Sequence, residues 1–119
     1  MTSPVTYVEF NTPDLPAASR FFAALFGWDP QPFAAPDYLV APAGGARGVD
    51  AGLLPSRDGT PRVVPVINVA SLDETSRQVV AHGGTIVVEP FTIPGVGRGC
   101  YFTDPTGVIV GLHENNPDV

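Results

Sequence analysis

An α+β fold made from one βαβββ unit used twice is what the sequence predicts, and three observations carry that expectation. Residues 5–28, VTYVEFNTPDLPAASRFFAALFGW, run from a β-branched and aromatic stretch into a helix pattern, and residues 63–84, VVPVINVASLDETSRQVVAHGG, repeat the outline. Identities recur at an offset of 57, at Asn11/Asn68, Leu15/Leu72, Ser19/Ser76, Arg20/Arg77, Ala24/Ala81 and Gly27/Gly84, and an offset of 59 lays GVDAGL (48–53) on GVIVGL (107–112). Each strand-helix pair is followed by short segments cut by Pro and Gly, so the order of elements repeats together with the identities.

In the first unit, VTYVEFN has strand composition and lies between Pro4 and Pro13. Asp14 sits where an N-cap belongs, and Pro16 falls in the first helical turn, where a missing N–H costs nothing. Leu15, Ala18, Phe21, Phe22, Leu25 and Phe26 follow at helical spacing, which predicts an apolar face buried against the first sheet, and Gly27 stops the helix. Segments 28–33, 38–41 and 47–54 are too short for ordinary helices and read as three strands. In the second unit RVVPVINVA repeats the strand, and Ser71 with Glu74 forms a capping-box pattern before a helix that ends at Gly83-Gly84. TIVVEP, GRGCYFTD and GVIVGLHE supply three more strands, the last two joined by a DPTG turn. The expected organisation is a single domain over residues 1–119, with modules at about 4–56 and 62–114.

Composition removes several function classes. The net charge is −6, with six scattered Arg and no Lys, so there is no basic face for nucleic acid. An acidic surface favours a cationic ligand. Cys100 is the only cysteine, which excludes an intrachain disulfide. No apolar run approaches the ~18 residues of a membrane span, and MTSPVTYVEF has neither a basic nor an apolar leader region. These features predict a soluble, cytoplasmic protein without a membrane partner. GGARGVDAG lacks the spacing of a dinucleotide fingerprint, and no P-loop or G-x-S-x-G is present.

The stretches NTPDLPAASRFFAALFGW and IPGVGRGCYFTDPTGVIVGLHE resemble the first strand-helix-Gly-Trp unit and the closing Asp-Pro-x-Gly hairpin of the glyoxalase / bleomycin-resistance / extradiol dioxygenase (vicinal oxygen chelate) superfamily. The resemblance covers nearly the whole chain. It implies two βαβββ modules whose curved mixed sheets surround a cavity. In the family's enzymes, it further implies, four side chains from the first and last strands of the modules bind a divalent metal that activates adjacent substrate oxygens.

Carried onto this chain, those four positions are Tyr7, Gly52, Val64 and Gly111, and the internal repeat pairs Tyr7 with Val64 and Gly52 with Gly111. Gly and Val have no side-chain donor, and a neutral phenol is a poor ligand, so neither a family-type metal nor another cofactor is expected. The two glycines either open room for a ligand group or relieve crowding in a curved strand. Alternation puts Glu9 and Asn11 on the face of Tyr7, Asn68 on that of Val64, and His113 beyond Gly111. The candidate ligand-binding set is therefore Tyr7, Glu9, Asn11, Gly52, Asn68, Gly111 and His113, a mostly apolar pocket with a few convergent polar groups. Each has a plainer reading: Glu9 facing outward, Asn11 and Asn68 satisfying backbone at strand ends, and His113 on a fraying strand. His82 at a helix C-terminus and Cys100 as buried packing are read as structural.

Two functions stay open at this point. One is a metal-free protein that binds or sequesters a small molecule, as the resemblance to the bleomycin-resistance branch implies for a cationic drug held between subunits. The other is a lyase, isomerase or dioxygenase-like enzyme acting in the same cavity, more readily without a metal than with one, using Glu9, Tyr7 or His113 as acid or base. A homodimer is expected, since so short a chain leaves strand surface to cover. The cavity then closes either within one chain or across the dimer.

Overall fold

A computed structural model describes residues 2–43 and 47–119; the Gly-Gly-Ala of the GGARGVDAG stretch, at 44–46, lies outside the described residues. The elements run β1 (Val5–Thr12), α1 (Leu15–Phe26), β2 (Gln31–Phe33), β3 (Ala35–Ala41), β4 (Asp50–Pro55), then β5 (Arg62–Asn68), α2 (Leu72–Ala81), β6 (Thr85–Ile93), β7 (Gly97–Thr103) and β8 (Ile109–Asn115). The fold is α+β, and βαβββ occurs twice. Two compact units result, one spanning Thr6–Val64 and the other Pro65–Val119 with the residues that precede Thr6.

In the first unit the strands lie in the order β2-β3-β4-β1, with β1 parallel to β4 and the other neighbours antiparallel. The crossover through α1 is what allows the parallel pair. Asp14 caps α1 by accepting from the Ala17 N–H at 3.1 Å. Gly27 closes the helix in the left-handed region (φ 70°) and donates to the Ala23 carbonyl at 3.0 Å. Phe22 carries the contact with the sheet: its ring lies 5.3 Å from that of Phe10 and stacks at 4.9 Å on Trp28. Phe10 is thus on the α1 side of β1, which turns Tyr7, Glu9 and Asn11 to the other side.

The apolar face of α1 is less buried than its spacing predicts. Leu15 and Phe22 are half-buried, whereas Phe21 and Leu25 remain 58% and 59% exposed and Phe26 63%. Adjacent residues on a helix diverge by about 100°, so once Phe22 points at the sheet Phe21 is carried off to the flank.

The second unit has the strand order β5-β8-β7-β6, with β5 parallel to β8 and antiparallel pairs beyond it. Its core forms where α2 packs on the sheet. Leu72 (0% exposed), Cys100, Leu112 and Val69 are buried together, flanked by Ile67, Val79 and Phe102. Ser71 caps α2 by accepting from the Glu74 N–H at 3.2 Å. The reciprocal half of the capping box does not form, because the Glu74 carboxylate turns along the helix to Arg77 (2.8 Å) and Gln78 (3.3 Å). Glu114 of β8 contributes instead, its Oε1 accepting from the Leu72 N–H at 2.8 Å. The helix ends at Ala81 with His82 as C-cap, and the Gly84 N–H returns to the Val79 carbonyl at 2.8 Å.

Leu72→Ala should therefore cost about 2–5 kcal/mol in chemical denaturation, as a cavity opens where α2 meets β8. Val80→Ala on the exposed side of the same helix should stay within about 0.5 kcal/mol of wild type.

Candidate functional site

In the first unit, Tyr7, Glu9 and Asn11 of β1 stand opposite Asp50, Gly52 and Leu54 of β4, and Val40 of β3 stands opposite Gly52. Alternation adds Tyr38 to the same side, away from α1. Three of these side chains meet. The Tyr38 hydroxyl donates to Glu9 Oε2 at 2.9 Å, and the Tyr7 and Tyr38 hydroxyl oxygens are 2.7 Å apart. Glu9 is only 5% exposed, so its inward orientation is a structural fact, and its carboxylate has the hydrogen bonding that burial demands.

Gly52 makes this arrangement sterically possible. A Cβ there would run into the Tyr7 hydroxyl oxygen and would lie 3.0 Å from that of Tyr38. Burial is the main reason both phenols hold their protons more firmly than usual. Tyr7 is pushed up from 10.0 to about 12, with the Glu9 and Asp50 charges adding to the rise and the Tyr38 hydrogen bond opposing it. Tyr38 is raised further, by burial first and the Glu9 charge second.

The second unit treats the equivalent face differently. Val66, Ile67 and Asn68 of β5 pair with Gly111, Leu112 and His113 of β8, and Gly111 and His113 stand opposite Tyr101 and Gly99 of β7. Leu112 and Cys100 belong to the α2 core, which leaves Gly111, His113, Val66, Asn68 and Tyr101 on the other side. A Cβ at Gly111 would lie 3.1 Å from Val66 Cγ2 and 3.2 Å from Tyr101 Cε1, so a valine and an aromatic ring close over this glycine. Tyr101 stacks on Phe91 at 6.0 Å. His113 is half-buried, and that burial lowers its pKa below the ordinary 6.5, with Glu114 pulling the other way.

Asn68 Oδ1 is buried without a hydrogen-bond partner among the described residues, so it does not serve the neighbouring backbone in the way an Asn at a strand end often does. Its backbone N–H donates to the Pro4 carbonyl at 2.9 Å, and the residue borders an open groove of about 330 Å³ with Thr2, Ser3, Pro4, Val69, Ala70 and Asn115. Cys100 is buried packing, its thiol pushed up chiefly by burial. Arg98 ion-pairs with Asp73 at 3.2 Å.

The structure thus brings Tyr7, Glu9 and Gly52 together in one unit and Asn68, Gly111 and His113 onto one face of the other; Asn11 shares the side of Glu9. Tyr38 escaped sequence reasoning. Its strand was legible, but the register of β3 on β4 that turns its hydroxyl to Glu9 was not; a tyrosine on the strand next to Gly52 was the available signal.

These residues do not suit the metal that the fold implies. At the four positions stand a phenol, two hydrogens and an isopropyl group, and the phenol keeps its proton to about pH 12. While Tyr7 and Tyr38 are paired, no ligand side chain could project from position 52. Among the described residues no group of three or more His, Cys, Asp or Glu is placed to hold an ion.

Two βαβββ units define a glyoxalase-type fold. The match is direct: the Glyoxalase/Bleomycin resistance protein/Dioxygenase superfamily is matched over residues 5–112, and the chain belongs to that superfamily. It is 34% identical over 119 aligned residues to the CFP32 proteins of Mycobacterium bovis and Mycobacterium tuberculosis, whose name provisionally makes them glyoxylases; the alignment covers 92% of this chain and 45% of theirs. The chain therefore spans less than half the length of these relatives. Among solved structures, the Mn(II)-bound glyoxalase from Novosphingobium aromaticivorans superposes with a TM-score of 0.69 at 24% identity, over 99% of this chain and 42% of that one. Methylmalonyl-CoA epimerase from Mycobacterium tuberculosis superposes with a TM-score of 0.68 at 21% identity, over 98% and 93%. At such identities the likeness concerns the fold.

The raised phenol pKa values have a consequence for alkaline stability. The protonated phenols are compatible with the fold at all lower pH, but above 10.0 the unfolded chain loses these protons before Tyr7 does in the folded state at about 12. Stability should accordingly fall as pH rises from 10 to 12, and urea unfolding across that range should show a shallower fall for Tyr7→Phe and Tyr38→Phe. A single early tyrosinate transition, seen by ultraviolet absorbance near pH 10 for all three tyrosines, would contradict the assignment.

Proposed function

We propose that this protein is a cytoplasmic, metal-independent member of the superfamily that binds or sequesters a small molecule, with candidate ligand-binding side chains Tyr7, Glu9, Asn11 and Tyr38 beside Gly52 in one module and Asn68 and His113 beside Gly111 in the other. The observation that carries this reading is a part-buried hydrogen-bonded set in place of metal donors: Tyr7 and Tyr38 join Glu9 over Gly52, where the family's ligand side chain would stand. The orphaned Asn68 Oδ1 supports it, since a buried acceptor without a donor costs about 1–3 kcal/mol and a bound N–H or O–H would relieve that. Among the described residues no helix is long and apolar enough to cross a membrane.

Protein purified without chelator should contain well under one equivalent of manganese, zinc, nickel or iron, and added metal should leave its melting temperature unchanged. Native mass spectrometry should reveal a co-purified small molecule. Stoichiometric metal lost on Tyr7→Phe or Glu9→Gln would overturn the reading.

A second reading, metal-independent proton transfer in a lyase or isomerase step, is favoured by one feature. Tyr7, Tyr38 and Glu9 form a continuous hydrogen-bonded path ending on a carboxylate. In that case Glu9→Gln removes turnover while ligand binding persists.

The reading includes a homodimer. Phe21, Leu25 and Phe26 of α1 form an apolar surface in solvent, of the sort that marks association. Sedimentation velocity at low micromolar protein should give a dimer, and Phe21→Glu with Leu25→Glu should give a folded monomer. A wild-type monomer under these conditions would remove the dimer from the proposal.

A further inference from the structure

The hydrogen-bond chain over Gly52 has a direction, and that direction selects the ligand's chemistry. A phenol has one proton and lone pairs that accept. The Tyr38 proton is committed to Glu9 Oε2 at 2.9 Å. The 2.7 Å contact between the two hydroxyl oxygens must then be held by the proton of Tyr7. Tyr7 has no second proton to give, so its oxygen offers only lone pairs to anything that approaches it.

The surroundings share this bias. Asp50, opposite Tyr7, is an acceptor whose Oδ1 already takes the Ala43 N–H at 2.8 Å. Gly52 contributes no side chain, and Val40 and Leu54 are apolar. Among the described residues that the strand register places on this face, the amides of Asn11 and Gln31 are the side-chain nitrogen donors, and the Gln31 Nε2 already donates to Asp29 Oδ1 at 2.7 Å; no Arg, Lys or His joins them.

The geometry points to a site that takes, at Tyr7, a ligand group that donates a hydrogen bond (a hydroxyl, an N–H or an ammonium) and that disfavours a carbonyl, ether or carboxylate there. This rests on the binding reading above and narrows it. It also makes Tyr38 a positioning residue, since it fixes the ligand-facing polarity of Tyr7 through the proton it commits to Glu9.

The test uses two bicyclic probes of the same shape, indole with an N–H donor and benzofuran with an ether oxygen in its place. Protein labelled with ¹³C in its tyrosine rings is titrated with each and followed by NMR, the Tyr7, Tyr38 and Tyr101 resonances being read separately. Indole should shift the Tyr7 resonance and bind about five- to tenfold tighter than benzofuran, the ratio expected for one net hydrogen bond. Tyr7→Phe should erase the gap by weakening indole alone. Tyr38→Phe, which releases the Tyr7 proton, should narrow the gap by strengthening benzofuran; circular dichroism confirms that each variant is folded. Benzofuran binding as tightly as indole to wild type at Tyr7 would overturn the inference and leave the binding reading standing. Shifts at Tyr101 alone, or none with either probe at several millimolar, would sink the siting of the ligand and the inference with it.

Discussion

A carboxylate taken out of water on the face of a β-sheet has to be held by hydrogen bonds, and Glu9, 5% exposed on β1, sets the terms for everything around it. Tyr38 satisfies it from β3, and Tyr7 completes the set from two residues earlier on β1. The two phenols need the space above β4, which is why position 52 has no side chain. One buried carboxylate thus constrains the residue types at three further positions, Tyr7, Tyr38 and Gly52, on three strands. The register of β1, β3 and β4 is constrained by the same need, because a slip of one residue would turn Glu9 into the α1 interface among Phe10, Phe22 and Trp28.

Much of this could be read from the chain because its causes are local. Strand alternation determines that Glu9 and Asn11 share a side with Tyr7, and Asp14, Ser71 and Gly27 cap or stop their helices through chemistry within a few residues. What escaped is set at a distance. Tyr38 reaches Glu9 across 29 residues and Glu114 caps α2 across 42, and each depends on a strand register that no sequence window contains. Glu74 shows the limit of a local rule: Arg77 and Gln78 on the same helix compete for its carboxylate and win it from the capping box. The exposure of Phe21 and Leu25 shows another, since helical spacing reveals an apolar stripe but not how wide a sheet is present to cover it.

The two modules make opposite use of one backbone plan. Both have a glycine at the same point of the closing strand, and in both the space over it is filled by neighbours from adjacent strands. In the first module the fillers are phenols tied to a carboxylate; in the second they are Val66 and the Tyr101 ring, with Phe91 stacked behind it. The polar groups of the second module, Asn68 and His113, stand one pleat further along β5 and β8 from Val66 and Gly111.

This arrangement separates fold from function within the superfamily in physical terms. A TM-score of 0.69 to a Mn(II)-bound glyoxalase and 0.68 to an epimerase shows one backbone plan in proteins named for different activities. A metal site needs side-chain donors that converge on a point. Here Tyr7, Gly52, Val64 and Gly111 stand at the corresponding positions, and a hydrogen-bonded set lies within one module: Glu9 accepts from Tyr38, whose hydroxyl oxygen is paired with that of Tyr7. A metal would polarise whatever bound to it, whereas this chain ends in a lone pair and attracts protons. On the proposed reading, Gly52 belongs to a site whose chemistry is opposite in sign to that of a metal, because it makes room for the two phenols.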